Sequence, residues 1–210
     1  MRSLSYIFWF WGLLSTCSWI SAQPLSGKKQ EAYTKAFERK QKETQTFQAD
    51  LKQTLRLRGM RDPIESNGWI YYRAPDLLLI RYGEPKGEFI LVEGKNLYVK
   101  RAGKPLIRKK LKAGGGLREN NIGALLSLFQ DGGQEYSREL DVQMEQQKNQ
   151  LLVCLNHPEG MVIQNSLTLP NLELKSIRVI LDSENSISYE LSRIIRNKPL
   201  DPKVFDLSGK

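Results

Sequence analysis

Residues 68–101 constrain the fold more than any other part of this chain. They read Gly-Trp-Ile-Tyr-Tyr-Arg-Ala-Pro, then Asp-Leu-Leu-Leu-Ile-Arg-Tyr, then Glu-Phe-Ile-Leu-Val-Glu-Gly-Lys-Asn-Leu-Tyr-Val-Lys-Arg. Four short runs of leucine, β-branched and aromatic side chains are each ended by Pro, Gly, Asp or Asn, the pattern of consecutive antiparallel strands. No helix of ordinary length fits between them. Ala74-Pro75-Asp76 forces an extended residue before the proline and breaks the first run from the second. Residues 82–87, Tyr-Gly-Glu-Pro-Lys-Gly, break the chain again, and Glu93-Gly94-Lys95-Asn96 makes a tight connection between the last two runs. The stretch is a meander, and the question is what its buried face is for.

The flanking sequence extends this pattern. Residues 26–44 read as a helix capped by Ser26, with Ala32, Tyr33, Ala36, Phe37 and Lys40 on one stripe. From Phe47 the period falls to two: Phe47, Ala49, Leu51, Leu55 and Leu57 alternate with polar residues, which predicts a half-buried strand. After the meander, residues 105–109 predict a further strand and residues 113–116 a glycine link. That link lacks the following Gly-Lys-Ser/Thr of a phosphate loop. Residues 121–129 predict a short, covered apolar helix. Tyr136, Leu140, Val142 and Met144 begin a second β region, which returns through residues 151–155 and continues at 172–181 and 186–191, while residues 157–171 give no clear period. The predicted fold is α+β: a strongly curved antiparallel sheet, an unclosed β-barrel of about ten or eleven strands, with helices covering its concave face.

At the N-terminus, Met1-Arg2 precedes an apolar run and the small-residue ending Ile20-Ser21-Ala22, the layout of a cleaved secretory signal. We expect a signal peptide at 1–22 and one domain at 23–210, in the periplasm. Leu14-Ser15-Thr16-Cys17 also approximates a lipidation box, which would tether the chain instead. With Cys17 gone or lipidated, Cys154 is alone and is expected as a small buried strand residue, so the core must hold the fold. The net charge of +9 falls by one when Arg2 leaves with the leader. Its excess gathers at Lys100, Arg101, Lys104, Arg108, Lys109, Lys110 and Lys112, and again at Arg56, Arg58 and Arg61. These are solvated loop and edge-strand charges or a patch for an anionic surface, and export argues against nucleic acid as the partner.

Catalytic patterns are absent. The one histidine, His157, sits beside Pro158 in a turn, and no His-x-x-His, Cys-x-x-Cys or calcium-loop spacing gathers the acids. The expectation is a binding protein without cofactor or metal, not an enzyme.

One resemblance rests on Phe-Gln-Ala-Asp-Leu-Lys-Gln at 47–53, Gly68 to Pro75 followed by Leu78, Ile80 and Tyr82, Val92-Glu93-Gly94-Lys95-Asn96-Leu97-Tyr98, and the ending Asn197, Leu200, Phe205. In this order the chain resembles the periplasmic outer-membrane lipoprotein carriers, the LolA-like family. The resemblance implies a carrier whose apolar cavity holds lipoprotein acyl chains. It implies as partners the acylated lipoproteins, an inner-membrane ABC release complex and an outer-membrane acceptor, and we expect a monomer. The alternatives are an anchored or soluble envelope sensor or acceptor scaffold, or a carrier of another lipid. The expected lining is Phe47, Leu51, Leu55, Ile70, Tyr72, Leu78, Ile80, Tyr82 and Leu91. The family's arginine before the Pro is here Ala74, and Arg73, one residue earlier and on the opposite face, is the candidate for gating or partner contact. An acyl chain of about sixteen carbons leaving a bilayer needs on the order of ten kcal/mol of replacement burial, which asks for a cavity and not a shallow patch.

Overall fold

The computed structural model describes residues 23–111, 125, 126, 128, 129, 141–156 and 160–206. The expected leader with Cys17, the glycine link, Lys112, Tyr136, Leu140 and His157 lie outside them. Twelve strands among the described residues form one sheet: β1 (Gln23–Pro24), β2 (Thr46–Arg56), β3 (Ile64–Arg73), β4 (Leu77–Tyr82), β5 (Phe89–Glu93), β6 (Asn96–Lys100), β7 (Ile107–Lys110), β8 (Asp141–Gln147), β9 (Gln150–Asn156), β10 (Val162–Thr168), β11 (Glu173–Ile180) and β12 (Ser186–Arg196). Their order, β1-β8-β9-β10-β11-β12-β2-β3-β4-β5-β6-β7, is linear, so the curved sheet stays unclosed with β1 and β7 at its edges. Two antiparallel meanders, β2–β7 and β8–β12, are joined where the last strand pairs the first long one, Leu191 opposite Leu51.

The four predicted runs are β3 to β6. Gly68 sits in β3 because nothing larger fits: an added Cβ would lie 2.2 Å from the Arg81 carbonyl oxygen. Gly94, with φ +57, makes the turn between β5 and β6. Strand pairing lines up one inner face across β2, β3 and β4, and the expected β2 series stops short of Leu57, which lies beyond the strand end at Arg56. Phe47 is paired with Tyr72 and Ala49 with Ile70, and Tyr72 and Ile70 are paired in turn with Leu78 and Ile80. All of these belong to one large core on the inner face.

Leu91 departs from the expectation. It is paired with Leu79 and Tyr98, and with Leu77, Leu79 and Phe89 it forms a second, smaller core on the outer face. Ile90 and Val92 take the inward places beside Ile80 and Leu78. The outer core exists because the C-terminal segment folds back over it. A 3-10 turn, Pro202–Val204, is capped by Asp201 and held by Arg81 Nη2 donating to the Val204 carbonyl at 2.6 Å, and it lays Val204 and Phe205 on these leucines. Hence Leu77-Leu78-Leu79-Ile80 is buried on both sides.

Residues 162–168, which carried no clear period, form β10. Ile163, Asn165 and Leu167 point inward, so a polar residue interrupts the apolar alternation. In β11 a register shift opposite Ser166 and Leu167 changes the parity, and the buried set passes from Leu174 to Ile177 and Val179.

The helix α1 (Gly27–Lys42) begins after Ser26, whose carbonyl accepts from the amides of Lys29 and Gln30; its side chain makes no cap. Tyr33, Ala36 and Phe37 of α1 pack on the inner core. Helical residues Leu125, Leu126, Leu128 and Phe129 are buried in the same core. The helix α1 is fastened at its start by β1, which pairs Gln23 with Gln146 and Pro24 with Glu145, and by the Leu25 amide on the Met144 carbonyl. At its end Lys40 Nζ meets Glu173 Oε2 at 3.0 Å, and the Thr44 hydroxyl just beyond it accepts from Arg196 Nη1 at 2.9 Å. Among the described residues, no helix is long and apolar enough to cross a membrane.

Candidate functional site

The expected lining does not surround one continuous hollow. Phe47, Leu51, Ile70, Tyr72, Leu78 and Ile80 are buried in the large core. The Phe129 ring lies 4.8 Å from that of Phe47 and stacks on that of Tyr72 at 5.3 Å between centroids. At this end of β2–β4 the protein's own aromatic ring occupies the inner face. Leu55 and Tyr82, at the other end of the same strands, border open space instead. Together with Ile64, Ile90, Val99 and Tyr189 they line a hollow of about 560 Å³, and the Tyr82 hydroxyl there donates to Gln53 Oε1.

A larger hollow, about 630 Å³, lies between α1 and the inner faces of β8–β10. Its sheet side is Val142, Met144, Leu151, Val153, Leu155 and Leu167. Its helix side is Tyr33 and Phe37, with Leu128 also contributing. The sheet side follows from period-two alternation: Val142 is paired with Leu155, Met144 with Val153 and Leu151 with Leu167, so all six share a face. Cys154, between them in sequence, therefore turns away. It is half-buried and free, and burial pushes its thiol above the ordinary range, so it is not poised as a nucleophile. The volume falls within the range of ligand pockets, about 300 to 1,000 Å³. The two hollows share no lining residue.

The polar groups at the rim of the larger hollow are mostly occupied by one another. Gln30 Nε2 donates to the Val142 carbonyl at 2.9 Å, Tyr33 hydroxyl to Gln146 Oε1 at 3.5 Å, and Thr34 Oγ1 to the Gln30 carbonyl at 3.0 Å. Glu31 and Lys35 form an exposed pair at 2.6 Å, which lowers the carboxyl pKa and raises that of the ammonium. Inside, Asn165 is the polar exception: it is 3% exposed and its Oδ1 has no partner. The irregular period of residues 157–171 marked this place in the sequence without identifying it.

Where α1 ends, a polar cluster is sealed against the core. Arg196 Nε donates to Glu173 Oε1 at 2.8 Å while its guanidinium covers the Phe47 ring, and Gln41, 1% exposed, lies beside it with Oε1 3.5 Å from Arg196 Nη1. Three tyrosine hydroxyls, Tyr72 at this end of the inner face and Tyr82 and Tyr189 at the Leu55 end, are held neutral. Burial pushes Tyr72 and Tyr189 up to about 12 and raises Tyr82 as well.

Arg73 is on the outer face. It stands with its guanidinium carbon 5.1 Å from the Phe205 ring centroid, over a third concavity, on the outer face, lined by Leu77, Leu91, Tyr98 and Arg108. Nothing in its placement brings it to either inner hollow. The basic residues from Lys100 to Lys110 flank the β6–β7 edge, and Ile107–Lys110 is exposed throughout. Among the described residues no group of three or more His, Cys, Asp or Glu could hold a metal ion.

Comparison with known proteins places this geometry. Among solved structures, the chain is similar to a DUF1329 family protein from Desulfovibrio piger, with 12% identity over 84% of this chain and 96% of that one and a TM-score of 0.50. A LolA superfamily protein from Nitrosomonas europaea gives 11% identity over 84% and 96%, with a TM-score of 0.43. The lipoprotein LppX from Mycobacterium tuberculosis gives 12% over 84% and 99%, with a TM-score of 0.44. At such identities the Desulfovibrio piger likeness speaks to the fold alone. No curated protein sequence matches the chain. The family profile described as outer membrane lipoprotein carrier protein LolA matches residues 42–208, most of the chain and nearly all of the sheet. The chain belongs to the LolA family.

Proposed function

We propose that this protein is a periplasmic carrier that holds the acyl chains of lipoproteins in the hollow beneath α1 and moves them from the inner to the outer membrane without covalent chemistry. The observation that carries this reading is the hollow of about 630 Å³, walled by aliphatic strand residues and by Tyr33 and Phe37 of the helix, in a chain of the LolA family. Burying methylenes there replaces the burial lost on leaving a bilayer, at about 0.8 kcal/mol each. In this reading residues 1–22 are removed as a signal peptide and residues 23–210 are the mature domain, with the helices as a cover over the concave side. The lipoprotein is received from an inner-membrane ABC release complex and given to an outer-membrane acceptor. The Leu55–Tyr82 hollow is a second compartment of the same face. Arg73, on the outer face, is a contact for one of these partners and not a gate.

Mass spectrometry of the protein purified from a bacterial envelope tests the reading. We expect a mature chain beginning at Gln23 that carries lipoprotein or acyl lipid, and that releases it when membranes bearing the acceptor are added. A chain that carries no acyl species and binds no acyl probe would remove the proposal. A lipidated Cys17 would instead support the anchored acceptor.

A further inference from the structure

The larger hollow is not uniformly apolar. Its floor on β10 runs from Leu167 to Asn165, and Asn165 is paired across the sheet with Val153 on one side and Ile177 on the other. A buried amide oxygen flanked by aliphatic neighbours and left without a donor is costly, on the order of 1–3 kcal/mol, and native interiors tolerate few such groups. Three buried side-chain atoms among the described residues are in this state: Gln41 Nε2, Arg196 Nη2 and Asn165 Oδ1. Asn165 alone of these residues lines the hollow, and its Oδ1 is closed off from the space, so a ligand meets it only when the side-chain amide turns. The rim groups Gln30, Tyr33 and Thr34 already have protein partners, so they do not compensate it. A pocket meant for bare hydrocarbon has no use for an unpaired acceptor within its wall. A pocket that reads a polar atom on its ligand needs one, because a donor-free competitor then leaves the acceptor unmatched.

We propose that the hollow selects acyl chains carrying a neutral hydrogen-bond donor close to the head of the chain, an amide N–H or a hydroxyl, and that Asn165 Oδ1 accepts from it. The inference rests on the acyl-carrier reading and specifies its ligand. The donor supplies the missing bond while the hydrocarbon fills the space between Phe37, Met144, Leu151 and Leu155. Asn165 in this role sets specificity, and most of the affinity comes from the chain.

The test is displacement of an anthroyloxy-labelled stearate methyl ester from the full mature protein by three matched neutral ligands: methyl palmitate, methyl β-hydroxypalmitate and N-methylpalmitamide. The wild type should prefer at least one donor-bearing ligand over methyl palmitate by about threefold to tenfold, the worth of one neutral hydrogen bond. Which ligand is preferred identifies the source of the donor. Asn165→Leu should lose the preference and melt at a higher temperature, since it removes an unmatched polar group. Equal wild-type affinity for all three, as when only a water molecule satisfies Asn165, overturns the inference and leaves the carrier reading standing. Retention of the preference in Asn165→Leu also overturns it. If no ligand displaces the probe because the probe never binds, both fall together. The wild-type comparison needs no variant, so poor folding of Asn165→Leu does not rescue the idea.

Discussion

Arg196 lies flat enough over Phe47 to put its guanidinium carbon 4.8 Å from the ring centroid, while its Nε donates to Glu173 and its Nη1 to Thr44. One side chain thus ties the last strand to the first long strand, to β11 and to the end of α1. Replacing it with Met keeps much of the packing and strands the carboxylate and hydroxyl it serves. Breaking a largely buried pair in this way costs about 3 kcal/mol. We expect Arg196→Met to lower the unfolding free energy by that amount, read as a lower urea midpoint with an unchanged m value. A loss below about 1 kcal/mol would show that Lys40 alone suffices for Glu173.

The two inner hollows can be filled one at a time. Val153→Trp puts an indole into the space under α1, and Leu55→Trp does the same at the far end of β2. Because each ring enters existing space, stability should change by less than about 1.5 kcal/mol in either case. Acyl-probe affinity should fall more than about tenfold in Val153→Trp and stay within about twofold in Leu55→Trp, since the sites share no residue. The reverse pattern, read in the same titration, would move the ligand to the second hollow.

Arg73 makes its aromatic contact on the outer face, against Phe205. Substituting Ala should cost about 0.5–1 kcal/mol of stability, the range of an exposed cation–π contact. It should leave acyl-probe affinity within about twofold, because no lining residue moves. A large change in probe release rate would make Arg73 a gate acting across the sheet.

Tyr72 has its hydroxyl pKa raised to about 12 by burial. A raised pKa means that the unfolded chain loses this proton first. The stabilisation is whole below about pH 10 and is lost as the pH climbs through about 12. Tyr189, also raised to about 12, adds to the same window. Unfolding midpoints taken from pH 8 upward should therefore fall steeply above about pH 10, and Tyr72→Phe should flatten part of that fall. At pH 8 the variant should lose about 1 kcal/mol, the hydrogen bond from Tyr72 to the Pro75 carbonyl. An identical alkaline slope in the variant would exclude Tyr72 as its source.

Much of this architecture could be read from local signals. The meander was legible because Ala74-Pro75, residues 83–87 and Gly94 punctuate it, and the parity of β2 because polar and apolar residues alternate without a break from Phe47 to Leu51. Leu91 was not legible. Phe89-Ile90-Leu91-Val92 is apolar at every place, so its parity is invisible, and the cover that makes its outer side a core, Val204 and Phe205, arrives more than a hundred residues later. The strand β10 was hidden by the residue that distinguishes it, since Asn165 stands where an apolar side chain would have completed the period. The hollow itself was beyond local reading. An inward leucine at position 151 looks the same in sequence as one at position 51, and the difference lies in which distant residues pack over each.

The unequal fastening of α1 bears on how the hollow beside it opens. One end is held by two residues of strand pairing, the Leu25 amide and exposed or half-buried side-chain bonds from Lys29, Gln30 and Tyr33, all to β8 beside the sheet edge, and the other is riveted to β11 and β12 inside the sheet by Lys40, Thr44, Glu173 and Arg196 around the buried Gln41. A strap held so lifts from its looser buckle, because local opening follows the path of fewest buried contacts. Under the carrier reading proposed above, the doorway is beside Gln23–Pro24 and β8, the strand next to the sheet edge, and residues 41–44 serve as the fulcrum about which the strap swings.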